Sequence, residues 1–211
     1  MITKQTIFSC AELADSIRTF LTADTLLLDI ETTGLSAARH FIYCIGCSYL
    51  SPDKSDSITV QLFFAEKQEQ EAELLAALTT LLQTHKRIIT FNGNSFDLPF
   101  LKKRYEINHI NQPFSDTQSV DLYREACHLK NLIQLPDYKT ENPLKTFLGC
   151  FREDSYTGKE LITQYLLYNE KSYRKNCSTI SFCTIAKDVR GMYDLLTMLC
   201  YSDFLSGKFP D

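Results

Sequence analysis

The sequence has no tryptophan and no apolar run long enough to cross a bilayer. A membrane-spanning helix needs about 20 consecutive apolar residues, so a membrane protein is not expected. The opening residues, Met1-Ile-Thr-Lys-Gln-Thr-Ile-Phe, lack the charged start, apolar centre and small-residue exit of a secretory signal. A cytoplasmic protein is therefore the expectation. Internal repeats and low-complexity tracts are absent as well. So is an excess of basic residues: 22 Lys and Arg stand against 26 Asp and Glu, a formal net charge of -4. That balance argues against binding nucleic acid tightly over the whole surface without metal, which calls for a basic face. It leaves open an acidic site filled by cations.

What is present fits an ordinary globular chain, with 44% hydrophobic and 23% charged residues. A length of 211 residues suits one domain, 1–211, with its own core. Eight cysteines occur, at 10, 44, 47, 127, 150, 177, 183 and 200. Several lie in apolar stretches, where a free thiol packs as a small hydrophobe, and in a reducing compartment they stay thiols. Cys44 and Cys47 form a Cys-x-x-Cys, the spacing of many zinc and redox sites. Zinc needs further ligands, however, and no second such pair or close His pair follows, so both cysteines read as residues of a buried strand. The four histidines, His40, His85, His109 and His128, read as surface or turn residues. Most of the 11 Tyr and 14 Phe belong in the core, although some could stack on unpaired bases.

Hydrophobic patterning sets the order of elements. Residues 26–31 form a short apolar run ending in acids, the pattern of a central strand. Residues 41–50 and 58–64 give two more strands, separated by the turn-like Ser51-Pro-Asp-Lys-Ser-Asp-Ser, and short links make the three an antiparallel meander. Leu74, Leu75, Leu78, Leu81 and Leu82 make the apolar stripe of a helix over 69–84. Residues 87–92 give a fourth strand. Asn94 or Ser95 would cap the next helix, which turns Phe96, Phe100 and Leu101 inward and Lys102, Lys103 and Arg104 outward. A fifth strand is placed within 114–121. Helical segments follow near 121–130, 143–150, 158–168 and 179–205, with a loop over 131–142. The expected architecture is α/β, a mixed five-stranded sheet flanked by helices with a helical C-terminal part.

Three places carry candidate chemistry. Asp29 and Glu31 are two apart on a strand, so both carboxylates project to one face. Paired acids raise each other's pKa, and a divalent cation with a preference for oxygen relieves that cost. Gly34, just beyond, lets the backbone approach a ligand closely. Asp97 follows a strand and an Asn/Gly turn and falls in the first turn of a helix, where an acid also complements the helix dipole. Asp188 borders the apolar stripe Ile185, Val189, Met192, Leu196 and Leu199. Taken alone, the last two also read as ordinary helix acids.

Taken together, Leu28-Asp-Ile-Glu-Thr-Thr-Gly-Leu, Phe91-Asn-Gly-Asn-Ser-Phe-Asp-Leu-Pro-Phe-Leu and Lys187-Asp-Val-Arg-Gly-Met resemble the three exonuclease motifs of the DEDD superfamily. The second motif is similar to that of the bacterial YprB-like branch, and Asp121-Leu-Tyr, Leu144-Lys-Thr-Phe-Leu-Gly-Cys-Phe-Arg-Glu-Asp and Gly158-Lys-Glu-Leu extend the likeness over about 25–200. The resemblance implies a ribonuclease H-like fold and a 3′–5′ exonuclease. In it Asp29, Glu31, Asp97 and Asp188 hold two Mg²⁺ or Mn²⁺ ions, and Asp29 is shared by both. Thr32, Asn92 and Asn94 would contact the substrate, a single-stranded end of DNA or RNA. One departure stands out. Members usually carry Tyr or His four or five residues before the last Asp, and here those positions hold Thr184 and Cys183. A threonine hydroxyl is too weak an acid to act as a base near neutral pH. Metal activation alone, a group elsewhere such as His128 or Tyr168, or a catalytically impaired nucleic-acid or protein binding module are the readings left open.

Overall fold

The computed structural model describes residues 1–9, 21–52, 57–128, 158–167 and 192. A single mixed sheet runs through them. Its strands are β1 (Ile2–Ser9), β2 (Thr25–Thr32), β3 (Ile42–Leu50), β4 (Ser57–Phe64), β5 (Arg87–Thr90) and β6 (Gln118–Asp121), in the spatial order β1-β4-β3-β2-β5-β6. β1, β4, β3 and β2 pair antiparallel, whereas β2, β5 and β6 run parallel. The helices are α1 (Glu71–Thr84), entered through a short 3-10 turn at Gln68–Gln70, α2 (Asp97–Ile107), α3 (Leu122–His128) and α4 (Gly158–Leu166).

The expected meander is present as β2, β3 and β4, and the fourth strand, helix and fifth strand of the expectation as β5, α2 and β6, the two strands running parallel. The sheet has six strands rather than five, because β1 pairs along the outer side of β4 from Ile2↔Phe64 to Ser9↔Ser57. β1 escapes sequence reading for a physical reason. As an edge strand it is exposed along nearly its whole length, so no buried face imposes alternation on it.

Two apolar layers cover the two faces. On one face Leu26, Leu28, Ile45, Cys47, Phe63 and Ile88 pack under α1 (Leu74, Leu75, Leu78, Leu82) and α2 (Leu98, Leu101, Tyr105). On the other, Leu27, Val60, Leu62, Phe64 and Ile89 pack with Leu122, Tyr165 of α4 and Met192. Burial of this kind is worth roughly 25 cal/mol per Å² of apolar surface, and it fixes the register of β2 between its neighbours.

β3 carries one extra residue opposite the end of β2: Glu31 pairs with Cys44 and Thr32 with Ile42, which leaves Tyr43 as a bulge. Tyr43 and Cys44 therefore turn to the same face, while Cys47 lies in the layer on the opposite face. No ion could be shared by Cys44 and Cys47 across the sheet, and burial pushes the Cys47 thiol far up, away from the thiolate a metal needs. Their reading as strand residues holds. Among the described residues no helix is long and apolar enough to cross a membrane.

Candidate metal and active site

The site forms where the parallel strands end. β2, β5 and β6 all point their C-terminal ends to one edge of the sheet, the edge at which open α/β sheets bind ligands. Asp29 and Glu31 lie near the end of β2, directly across from Gly46 and Cys44 of β3. Leu27, two residues before Asp29, and Cys44, opposite Glu31, belong to the layer that holds Phe64 and Met192, so both carboxylates occupy that face, and both are half-buried. Gly46 opposite Asp29 contributes no side chain there. The bulge beside Glu31 is held by aromatic packing. Tyr43 stacks on Tyr165 at 4.2 Å and meets Phe64 edge-on at 6.0 Å, while the Tyr165 hydroxyl donates to the Ala65 carbonyl at 3.0 Å.

Asp97 reaches the same place from α2. The ladder between β2 and β5 stops at Leu27↔Ile89, so the Ile30 N–H finds no partner on β5. The Asp97 carboxylate fills that gap and accepts the Ile30 N–H at 3.2 Å, between the two acids of β2. Asp97 is only 5% exposed. Burial pushes its pKa up to about 7, opposed by hydrogen bonds from its own N–H and that of Ile30 and reinforced by the charge of Asp121. The helix start itself is uncapped by a side chain: the cap position is Phe96, and neither Asn94 nor Ser95 serves as the expected cap. Leu98 N–H instead donates to the Gly93 carbonyl.

Asp121, which the sequence reading did not place in the site, closes β6 and is 4% exposed. It accepts the N–H groups of Asn92 at 2.7 Å, Asn94 at 3.1 Å and Tyr123 at 3.1 Å. Asn92 has a left-handed backbone, φ 61°, a conformation asparagine tolerates better than most residues. Gly93 is required for space, since a Cβ there would lie 2.3 Å from the Thr90 hydroxyl oxygen. Asn94 accepts a hydrogen bond from the Ser119 hydroxyl at 2.7 Å through its side-chain oxygen. The sequence signals for Asp121 are an acid ending a short strand and the Asp121-Leu-Tyr block of the family likeness, and neither assigns it a role.

The loop that follows β2 is held from the other side of the sheet. Arg104 does not face solvent as expected. It lies buried, its Nε and Nη2 donating to Glu71 at 2.8 and 2.5 Å and its Nη1 donating to the Ala37 carbonyl at 3.0 Å. Glu71 also accepts the Ile42 N–H at 2.8 Å and the Asn108 amide at 3.0 Å. One ion pair thus ties the starts of α1 and β3 to α2 and to the loop carrying Gly34. In that loop the Thr32 hydroxyl donates to the Gly34 carbonyl at 3.0 Å, and a Cβ on Gly34 would meet the His40 ring at 2.7 Å.

The structure therefore seats the Asp97 carboxylate on the backbone N–H of Ile30, the residue between Asp29 and Glu31, and sets Asn92 and Asn94 on the turn before α2. Asp188, Thr184, Cys183 and Tyr168 lie outside the described residues, as does the side chain of His128. Among the described residues no three His, Cys, Asp or Glu side chains gather tightly enough to hold an ion by themselves. The donor set nonetheless suits a hard divalent cation: all oxygens, with a buried carboxyl whose ionisation is disfavoured in the absence of positive charge.

Comparison with known proteins agrees with this architecture. The family model of the RNase H superfamily matches residues 26–200. Among solved structures, a family B DNA polymerase from the hyperthermophilic archaeon Pyrobaculum calidifontis superposes with a TM-score of 0.61 at 14% identity, over 86% of this chain and 24% of that one. E. coli exonuclease I, in a zinc-bound complex with single-stranded DNA, gives a TM-score of 0.49 at 15% identity, over 70% of this chain and 41% of that one. The chain thus spans about a quarter of the polymerase and two-fifths of the exonuclease. No curated protein matches it. With the family model covering most of its length and the mixed sheet in place, the chain belongs to the RNase H superfamily.

Proposed function

We propose that the protein is a metal-dependent 3′–5′ exonuclease acting on single-stranded ends of DNA or RNA, of the DEDD type and akin to the YprB-like branch. Asp29, Glu31, Asp97 and Asp188 would hold two Mg²⁺ or Mn²⁺ ions. The observation that carries the reading is the Asp97 carboxylate seated on the Ile30 N–H, between Asp29 and Glu31, at the C-terminal edge of the parallel strands. Ile30 and Asp97, 67 apart in sequence, meet there, so the acid of α2 is held against the strand that carries the other two, which supports a shared ligand set. Met192, four positions beyond Asp188, packs in the apolar layer on the face that bears Asp29 and Glu31, which supports placing the fourth acid with them.

Held by those four acids, such a pair of ions would lower the pKa of a bound water and stabilise charge on the leaving oxygen. The chain's own part is to present carboxylate oxygens on a rigid strand, to keep them half out of water, and to set the substrate with Thr32, Asn92 and Asn94. The backbone N–H groups of both asparagines are already fixed by Asp121, so the turn is preorganised rather than assembled on binding.

Incubating end-labelled DNA and RNA oligonucleotides with Mn²⁺ tests the reading. Wild-type protein is expected to shorten them from the 3′ end and Asp29→Ala to leave them intact; equal products from the two proteins overturn it. A second reading, a binding module without turnover, is motivated by Thr184 and Cys183 standing where a Tyr or His is usual. It predicts oligonucleotide binding that survives Asp29→Ala and no cleavage with any metal.

A further inference from the structure

We infer that Asp121 is a positioning residue of this site: its carboxylate builds the Asn92–Asn94 turn that faces the substrate, without itself joining the metal-binding acids. The inference deepens the nuclease reading and rests on it.

Three observations converge on Asp121. First, both of its oxygens are used. Oδ1 accepts the N–H groups of Asn92 and Tyr123, and Oδ2 accepts that of Asn94. A helix cap for α3 accounts only for the Tyr123 bond; the other two reach back 29 and 27 residues to a turn on the neighbouring strand. Second, the turn needs support. Asn92 is left-handed at φ 61°, and Gly93 is pressed onto Thr90 so closely that no Cβ fits. A buried acceptor that takes the N–H groups on both sides of Gly93 holds that shape against its strain. Third, β6 serves the turn twice, because Ser119 donates to the Asn94 side-chain oxygen at 2.7 Å and so orients the amide whose backbone Asp121 fixes.

The pleat turns Asp121 away from Asp29 and Glu31, and of the acids it is Asp97 that its charge reaches. Val120 packs into the layer on the face of Asp29 and Glu31, so its neighbour Asp121 takes the opposite face. Its effect on the reaction passes through the turn, to Asn92 and Asn94. Substitution should then weaken substrate binding more than the chemical step.

Three variants test this in the full chain. In Asp121→Asn the amide has one acceptor oxygen and turns its NH₂ toward an N–H. Asp121→Ser keeps a capping hydroxyl for Tyr123 and loses the reach to the turn. Ser119→Ala alters an exposed residue and leaves Asp121 intact. Amide hydrogen exchange at Asn92 and Asn94 is expected to accelerate in both Asp121 variants. KM for a labelled oligonucleotide should rise about tenfold, the scale of one buried donor left unsatisfied, with kcat much less affected. Ser119→Ala should raise KM in the same direction by a smaller factor. Faster exchange with an unchanged KM overturns the inference, and so does a fall in apparent kcat at unchanged KM that merely tracks the loss of folded protein. Wild-type protein that neither binds nor cleaves any oligonucleotide removes the nuclease reading itself, and the inference with it. That result is visible before any variant is made.

Discussion

Glu71 and Asp97 occupy the same place in two neighbouring helices, the first residue of α1 and the first of α2, and both are taken out of water, 1% and 5% exposed. Their surroundings differ. Glu71 receives a guanidinium through two N–H groups, an amide from Asn108 and the Ile42 N–H. Asp97, among the described residues, receives backbone N–H groups and faces a second carboxylate, and its pKa is pushed up to about 7. The same fold thus neutralises one buried acid completely and leaves the other wanting positive charge. A closed ion pair gives rigidity; an unneutralised carboxyl at a strand edge is suited to a cation that comes and goes. Breaking each site in turn separates the two roles.

The largest effect is expected from Arg104→Ala. Removing one partner of a buried pair strands the other charge and costs about 3–5 kcal/mol, readable as a lower midpoint in urea. Arg104→Lys should also destabilise, because an ammonium cannot reproduce the two-pronged contact with Glu71 while reaching the Ala37 carbonyl. Asp97→Asn should behave in the opposite sense. The folded protein holds the Asp97 proton up to about pH 7, while the unfolded chain loses it near the ordinary 3.8. Between those values the folded state binds more protons, so stability of the metal-free protein falls as pH rises through the window, and the loss is complete above it. With each pKa unit worth about 1.4 kcal/mol, the slope is measurable by denaturation at several pH values in chelator. Asp97→Asn should lack it, exceed wild type in stability at pH 8, and bind Mn²⁺ more weakly. A variant that is less stable than wild type at every pH would show that the Asp97 carboxylate is a structural residue like Glu71.

Gly93→Ala should cost less, about 1–3 kcal/mol, as overpacking does. Its added carbon would meet the Thr90 hydroxyl oxygen at 2.3 Å and the Thr90 Cβ at 2.4 Å. Combining it with Thr90→Ala should recover only part of the loss, because the second of those contacts remains. Thermal unfolding of the single and double variants gives the answer.

How much of this could be read beforehand depended on how strongly burial constrained each segment. β2 was legible because three apolar residues precede two acids on a strand packed on both faces. β1 was not, since it is exposed along an edge, and β6 was placed only loosely because four residues carry little periodicity. In α2 the spacing was right and the residue type misled. Asp97, Leu101 and Arg104 fall on one buried stripe with Leu98 and Tyr105, yet an arginine beside two lysines reads as part of a solvated face. Its partner Glu71 lies 33 residues away, too far for any local pattern to announce. Asp121 was hidden for the same reason, its role being defined by contacts with a turn 27 to 29 residues earlier.

The smallest effect is expected one position away from the largest. Lys103 shares α2 and its charge with Arg104, but its side chain is 44% exposed and meets the exposed Glu106 at 3.0 Å across one helical turn. Exposed pairs of this kind contribute about 0.2–1 kcal/mol, further reduced by salt, so Lys103→Ala should leave the urea midpoint almost unmoved. The pair of variants isolates burial as the governing variable, because helix, charge and neighbourhood are shared. It also bears on substrate binding. A lysine that touches a phosphate contributes about one unit to the salt dependence of affinity, and Lys103 is already turned to Glu106. An unchanged salt slope for oligonucleotide binding in Lys103→Ala would place the substrate path at the strand edge and not along this face of α2. A slope reduced by one unit would extend that path over the helix.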